Sequence, residues 1–203
     1  MSQVPRGRGQ LLLLAALFFG PLLAAIVLYF GFPQLVPQAR TNYGRLVDPA
    51  RPLPADLALV DAAGKTVDRE ALRGRWTYLY PGDDACDASC ADKLFQFRQI
   101  RILLNEKRAR VQRVYLAPDA AALPALHTQL AGTHPDLQLY AESGAPLLRT
   151  FLQKDGVQPQ AVYLIDPLGN WLMVYPAQID GRALDYKNVL KDIKKLLSIS
   201  QIG

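Results

Sequence analysis

The chain has 203 residues, half of them apolar and a fifth charged. That balance excludes a collagen-like or disordered polymer and leaves room for one ordinary domain plus extras. The net charge of +5 would suit a nucleic-acid partner, but the cations are scattered and none is expected. The one cluster is Arg98, Arg101, Lys107, Arg108, Arg110 and Arg113. It reads as a solvated helix face, with an anionic membrane surface or an acidic partner as the sharper alternative.

Residues 1–10 form a short tail carrying Arg6 and Arg8. Leu11 to Phe32 then runs without a charge, close to the ~20 residues that cross a ~30 Å hydrocarbon core. A cleaved signal has an apolar stretch of only ~7–15 residues, so an uncleaved anchor over 11–32 is expected, bent at Gly20 and Pro21. The basic tail places the N-terminus in the cytoplasm and the rest, in a bacterium, in the periplasm. Residues 33–55 hold Pro33, Pro37, Pro49, Pro52 and Pro54 and read as an extended linker.

From about residue 56 the pattern turns globular. Leu57–Val60 and Thr66-Val67 suggest a small hairpin, and Trp76–Tyr80 a stronger strand ended by Pro81-Gly82. A helical pattern follows to about Lys107. Val111–Ala117 is a strand and Ala120–Ala131 a helix with Pro124 in its first turn. Leu137–Tyr140 is a strand, and Pro146–Gln153 a short helix. Ala161–Asp166 is a continuous apolar strand of the kind covered on both faces. Pro167–Asn170 turns it into Trp171–Tyr175, and Leu184–Ile199 closes as an amphipathic helix with Lys187, Lys191, Lys194 and Lys195 toward water. Asp166-Pro167 with Asn170 could pass for a polar site, but a β-turn explains it better.

The two cysteines, Cys86 and Cys90, sit between a strand and a helix. Helical positions four apart hold their Cβ atoms ~5–6 Å apart, and a disulfide needs ~3.8 Å, so a bridge requires a bent or frayed first turn. Reduced, the same two sulfurs could hold a soft ion such as Cu(I). The free N–H groups of the first turn favour a thiolate, while Asp83, Asp84 and Asp87 oppose it. A structural staple is the bland alternative. Either chemistry requires the sulfurs to lie close together and within reach of a partner.

Alternating strands and helices around such a pair give an α/β, thioredoxin-like domain over 56–203, preceded by one transmembrane helix. With the anchor, the Cys-x3-Cys and the run Tyr163-Leu164-Ile165-Asp166-Pro167-Leu168-Gly169, the chain resembles the Sco/SenC group of membrane-anchored, thioredoxin-like proteins. That resemblance implies a role in assembling the copper A centre of cytochrome c oxidase. The partner would be an oxidase subunit or another assembly factor. It carries over Cys86 and Cys90 as the reacting or copper-holding pair. It does not carry over the group's histidine ligand, whose matching position is Gln158. The two histidines, His127 and His134, read as surface residues. Pro159 lies near the place where thioredoxin-like folds set a cis-proline. Thiol–disulfide exchange with Cys86 attacking and Cys90 resolving leads. A Cu(I) carrier on the same two cysteines and a non-enzymatic assembly scaffold are the alternatives.

Overall fold

The computed structural model describes residues 6–32, 42–154, 156, 158, 160–179 and 181–202; Pro159 and residues 33–41 of the expected linker lie outside them. The chain divides into two units, one ending at Thr41 and the other Asn42–Gly203.

In the first unit a single helix, α1 (Arg6–Gly31), contains Pro21. Its segment Gly9–Gly31, 23 residues, is long and apolar enough to cross a membrane, since at 1.5 Å per residue it extends about 34 Å.

The second unit is an eight-stranded mixed sheet. Its strands are β1 (Arg45–Pro52), β2 (Ala58–Asp61), β3 (Thr66–Asp68), β4 (Trp76–Pro81), β5 (Val111–Leu116), β6 (Leu137–Glu142), β7 (Val162–Ile165) and β8 (Asn170–Tyr175). The spatial order is β1-β8-β7-β4-β5-β6-β2-β3. Strands β4, β5 and β6 run parallel, and the remaining pairs are antiparallel. A separate two-stranded ribbon pairs β9 (Gln178–Ile179) with β10 (Arg182–Ala183). The helices are α2 (Ala88–Ile102), α3 (Leu123–Leu130), α4 (Leu147–Leu152) and α5 (Tyr186–Ile199).

Side-chain alternation along the strands builds two cores, because successive residues point to opposite faces. Trp76, Tyr78, Tyr80, Val162 and Leu164 face one core with the buried sides of α2, α3 and α5. Leu79, Tyr163 and Ile165 face the other with α4. Strands covered on both sides account for the uninterrupted apolar run at β7. The turn after it forms as read: Asp166 Oδ1 accepts the N–H groups of Leu168 (2.9 Å) and Asn170 (2.8 Å), and Gly169 takes φ +85°.

Two boundaries differ from the sequence reading. Residues 45–52, expected to be linker, form strand β1, hydrogen-bonded to β8. A proline cannot donate to a central ladder, but β1 lies at the edge, and its register shifts between Leu46 and Arg51, around Pro49. The helix expected to reach Lys107 stops at Ile102. Asn105 adopts φ +50°, which breaks the ladder, and the 3₁₀ turn Asn105–Arg110 follows.

Candidate functional site

Strand β4 ends at Pro81, and the segment from there to α2 is fastened from three sides. Gly82 donates its N–H to the Leu116 carbonyl at 3.0 Å, and a Cβ on Gly82 would overlap the buried Tyr115 ring; only glycine fits. The Tyr115 hydroxyl donates to the Asp83 carbonyl at 2.6 Å. Arg149, at the other face, donates to the carbonyls of Gly82 and Leu116, both at 2.6 Å. From α3, the Gln129 amide brackets Cys86: it accepts the Cys86 N–H (3.0 Å) and donates to the Cys86 carbonyl (2.7 Å).

Cys86 and Cys90 form a disulfide with Cα atoms 5.2 Å apart. Cys86 precedes the helix and Cys90 lies in its first turn, with Asp87 between them as N-cap. The bridge therefore straddles the helix start, which frees it from the wider spacing of two helical positions. The sequence led us to expect free first-turn N–H groups that favour a thiolate. Instead the Asp87 carboxylate accepts the Cys90 N–H at 2.8 Å, so that donor is already used and a negative charge sits beside it. The sulfurs meet the requirement of closeness. Both cysteines are nearly covered: Cys86 is 6% and Cys90 3% exposed, with exposed Asp83, Asp84, Ala85, Asp87 and Ser89 around them.

Three neighbours escaped the sequence reading. Lys93, one turn beyond Cys90 and 5% exposed, donates its ammonium to the Gln160 carbonyl and sits 5.5 Å from the Tyr80 ring centroid. Burial lowers its pKa to about 8, against the pull of Asp87 and Asp92. The Tyr80 hydroxyl is pushed up to about 12, by burial first and then by Asp83 and Asp87, so it stays protonated. Gln160, at φ +55°, accepts the Ser89 hydroxyl at 2.7 Å through its side chain and ties the loop before β7 to the first turn of α2. Gln129 is the third. A signal existed for Lys93, which interrupts the apolar stripe Cys90, Leu94, Phe97 and Ile100 at helical spacing. None existed for the two glutamines.

The remaining sequence candidates lie elsewhere. Gln158 lines a cavity of about 170 Å³ beside Arg45, Arg51 and Trp171. His127 is exposed on α3. His134 is buried, contrary to the surface position expected, and its Nδ1 lacks a hydrogen-bond partner. Among the described residues no group of three or more His, Cys, Asp or Glu side chains could hold a metal ion. Among the described residues the reduced pair thus supplies two sulfur donors, with no third His, Cys, Asp or Glu grouped with them.

Burial and the nearby Arg113 and Arg98 hold the His134 pKa below its ordinary value, opposed by Asp136. The folded state therefore binds the imidazole proton less tightly than the unfolded chain, and the stability contributed is present above pH ~6.5 and lost as pH falls below it. We expect urea midpoints to fall from pH 7 to pH 5, and to fall less in His134→Asn. Parallel declines in both proteins would show that His134 carries none of the effect.

The basic cluster around α2 is also not a uniform solvated face. Arg113 on β5 is buried, and Arg101 and Arg113 both pair with Asp136 at 3.1 and 2.6 Å.

No curated protein matches the chain. Solved structures share its fold. Yeast Sco1 superposes with a TM-score of 0.59 at 20% identity, covering 73% of this chain and 96% of that one. Arabidopsis thaliana ScoI with copper bound gives 0.52 at 22% identity, covering 68% and 96%. A putative electron transfer protein from Aquifex aeolicus gives 0.55 at 15% identity, covering 70% and 90%. The model of the transmembrane-like, N-terminal domain matches residues 2–31. That of the transmembrane-like, thioredoxin-like, C-terminal domain matches residues 76–200, more than half of the chain, and the chain belongs to that family.

Proposed function

We propose that the chain is a membrane-anchored thiol–disulfide exchange protein that assists assembly of the copper A site of cytochrome c oxidase, with its second unit in the periplasm. The observation that carries this reading is the Cys86–Cys90 disulfide at the β4–α2 junction of a fold shared with Sco proteins. Arg6 and Arg8, ahead of the apolar span Gly9–Gly31, support the orientation.

In the working direction the reduced pair acts on an oxidised partner. The Cys86 thiolate attacks one sulfur of a partner disulfide, the partner's S–S bond breaks, and its other sulfur leaves as thiolate. Cys90, as thiolate, then attacks the Cys86 sulfur and expels the partner's second thiolate. Two electrons pass to the partner, whose cysteines become free to bind copper, and the Cys86–Cys90 bond closes. An external dithiol donor must reopen it. The narrow access at Cys86 means that a partner must fit closely over the Asp83–Ser89 segment.

A Cu(I) carrier ranks second. Its support is that Sco structures of this fold hold copper; the shortfall is the donor set, since Gln158 stands where the third ligand would be expected and lines another cavity. Copper here would be cargo on two thiolates, completed by a partner's donor.

Cys90→Ser separates the readings. Exchange predicts a mixed disulfide between Cys86 and an oxidase or assembly cysteine, trapped in membranes and released by reductant. Full oxidase assembly in a Cys86→Ser/Cys90→Ser double variant would sink both sulfur mechanisms and leave a scaffold. One-to-one Cu(I) binding that resists competition and is lost in Cys86→Ser would move the carrier to first place.

A further inference from the structure

The outer face of α5 is strongly basic. Lys187, Lys191, Lys194 and Lys195 are all exposed. The one carboxylate within the helix, Asp192, is buried. It points inward to accept the N–H groups of Tyr43 (3.0 Å) and Gly44 (2.8 Å) and the Tyr175 hydroxyl (3.3 Å). The Tyr43 hydroxyl accepts the N–H of Asp185, the N-cap of α5, at 2.7 Å. The first described residues after the anchor are therefore bound to this helix. Nine residues, 33–41, separate Phe32 from Asn42, and at ~3.3–3.6 Å each they reach about 30 Å at most.

The C-terminal end of the helix continues the same chemistry. The Arg110 guanidinium donates to the carbonyls of Leu197 (3.0 Å), Ser200 (2.8 Å) and Ile202 (2.9 Å). This sets the turn Asn105–Arg110, with its exposed Lys107 and Arg108, against the end of α5. Leu103, Ile199 and Ile202 are exposed there. The exposed acids on these segments are Asp185 and Glu106, so cations prevail. Lysines with long apolar stems beside isolated exposed aliphatic side chains suit the boundary between headgroups and acyl chains.

We propose that the outer face of α5, together with Lys107 and Arg108, docks on anionic phospholipid headgroups. The tether supplies a high effective concentration of surface, so a weak contact suffices. This inference rests on α1 spanning a bilayer and is independent of the sulfur chemistry.

The test uses the full chain inserted into lipid nanodiscs of phosphatidylcholine alone or with phosphatidylglycerol, with lysine acylation rates read by mass spectrometry. At roughly 1 kcal/mol per lysine near an anionic surface, Lys187, Lys191 and Lys194 should react about 5-fold more slowly on the anionic discs. High salt should erase the difference. Lys65, in the β2–β3 turn, serves as the remote reference and should keep its rate. In Lys191→Glu/Lys194→Glu, the protection of Lys187 should disappear. Equal rates on both lipids would overturn the proposal, as would a parallel slowing of Lys65. Protection that arises only in native membranes, and not in pure lipid, would assign the face to a protein and overturn it too.

Discussion

Replacing Asp136 with alanine is expected to lower the unfolding free energy by about 3 kcal/mol, the lower end of the cost of breaking a buried ion pair. The Arg113 side chain is 2% exposed and that of Asp136 23%. The carboxylate accepts Arg113 Nη2 at 2.6 Å and Nε at 3.1 Å, and Arg101 Nη1 at 3.1 Å. Without it, Arg113 keeps the Leu94 carbonyl at 2.9 Å but remains a charged group inside the sheet–helix interface. Burial already lowers its pKa, against the support of Asp136. Water entering at the partly open Asp136 side will recover some of the loss.

A second substitution distinguishes charge from packing. In the Asp136→Ala background, Arg113→Met removes the stranded guanidinium and should restore much of the stability, because a buried pair costs most when only one member goes. Urea unfolding of the disulfide-intact chain in detergent measures both variants. If the double variant is no better than the single, shape rather than charge holds this corner. The pair also has an acid limit. Burial raises the Asp136 pKa, but the bond to Arg113 and the charges of Arg113 and Arg101 outweigh it and leave the value below normal. Stability from this carboxylate is therefore complete above pH ~4 and lost as pH falls toward the lowered value. Because Arg113 also grips α2 at Leu94, amide exchange in that helix should quicken in Asp136→Ala.

Much of this architecture was legible in the amino acids. Strands β4, β5, β7 and β8 are dense in aromatic and branched residues, and β4, β7 and β8 are bounded by Pro81-Gly82 or Asp166–Asn170, so local chemistry and burial agree. Strand β1 was not legible. Pro49 and Pro52 lower its own strand propensity, and it forms only because β8, more than a hundred residues later, offers an edge. The end of α2 was misjudged because Leu103 and Leu104 continue the apolar pattern, while the break depends on one left-handed asparagine. At the candidate site the pair itself was plain from its spacing. Its surroundings were not: Gln129 and Gln160 reach the cysteine segment from 43 and 71 residues away, and no local pattern marks them. Nor does sequence reveal how deeply the sulfurs lie, since Asp83, Asp84 and Asp87 mark the charge around the pair and not its depth.

Lys93→Met should stabilise the oxidised protein by about 2 kcal/mol near pH 7. The shift of the ammonium from 10.5 to about 8 corresponds to roughly 3 kcal/mol of penalty on the charged form, and losing the bond to the Gln160 carbonyl returns about 1 kcal/mol. Methionine keeps an unbranched apolar stem of similar length against Tyr80. The sign with pH is definite. The folded pKa is depressed, so the penalty is complete below pH ~8 and fades as pH rises toward 10.5, where the unfolded chain also loses the proton. The advantage of the variant over wild type should therefore shrink across that window, while buried tyrosines such as Tyr80 affect both alike, a comparison that denaturant titrations at pH 7 and 10 make directly. A variant less stable than wild type at pH 7 would mean that the Gln160 contact outweighs desolvation. A lysine kept at a net cost one turn from Cys90, on the same buried helix face, is better explained by the reduced state than by the oxidised one. If the Cys90 sulfur carries charge there, the ammonium one turn away gains a partner. Lys93→Met should accordingly shift the reduction potential of the pair to more negative values and raise the pKa of the Cys90 thiol, read by thiolate absorbance. An unchanged potential in a stabilised variant would reduce Lys93 to a structural link between α2 and the Gln160 loop.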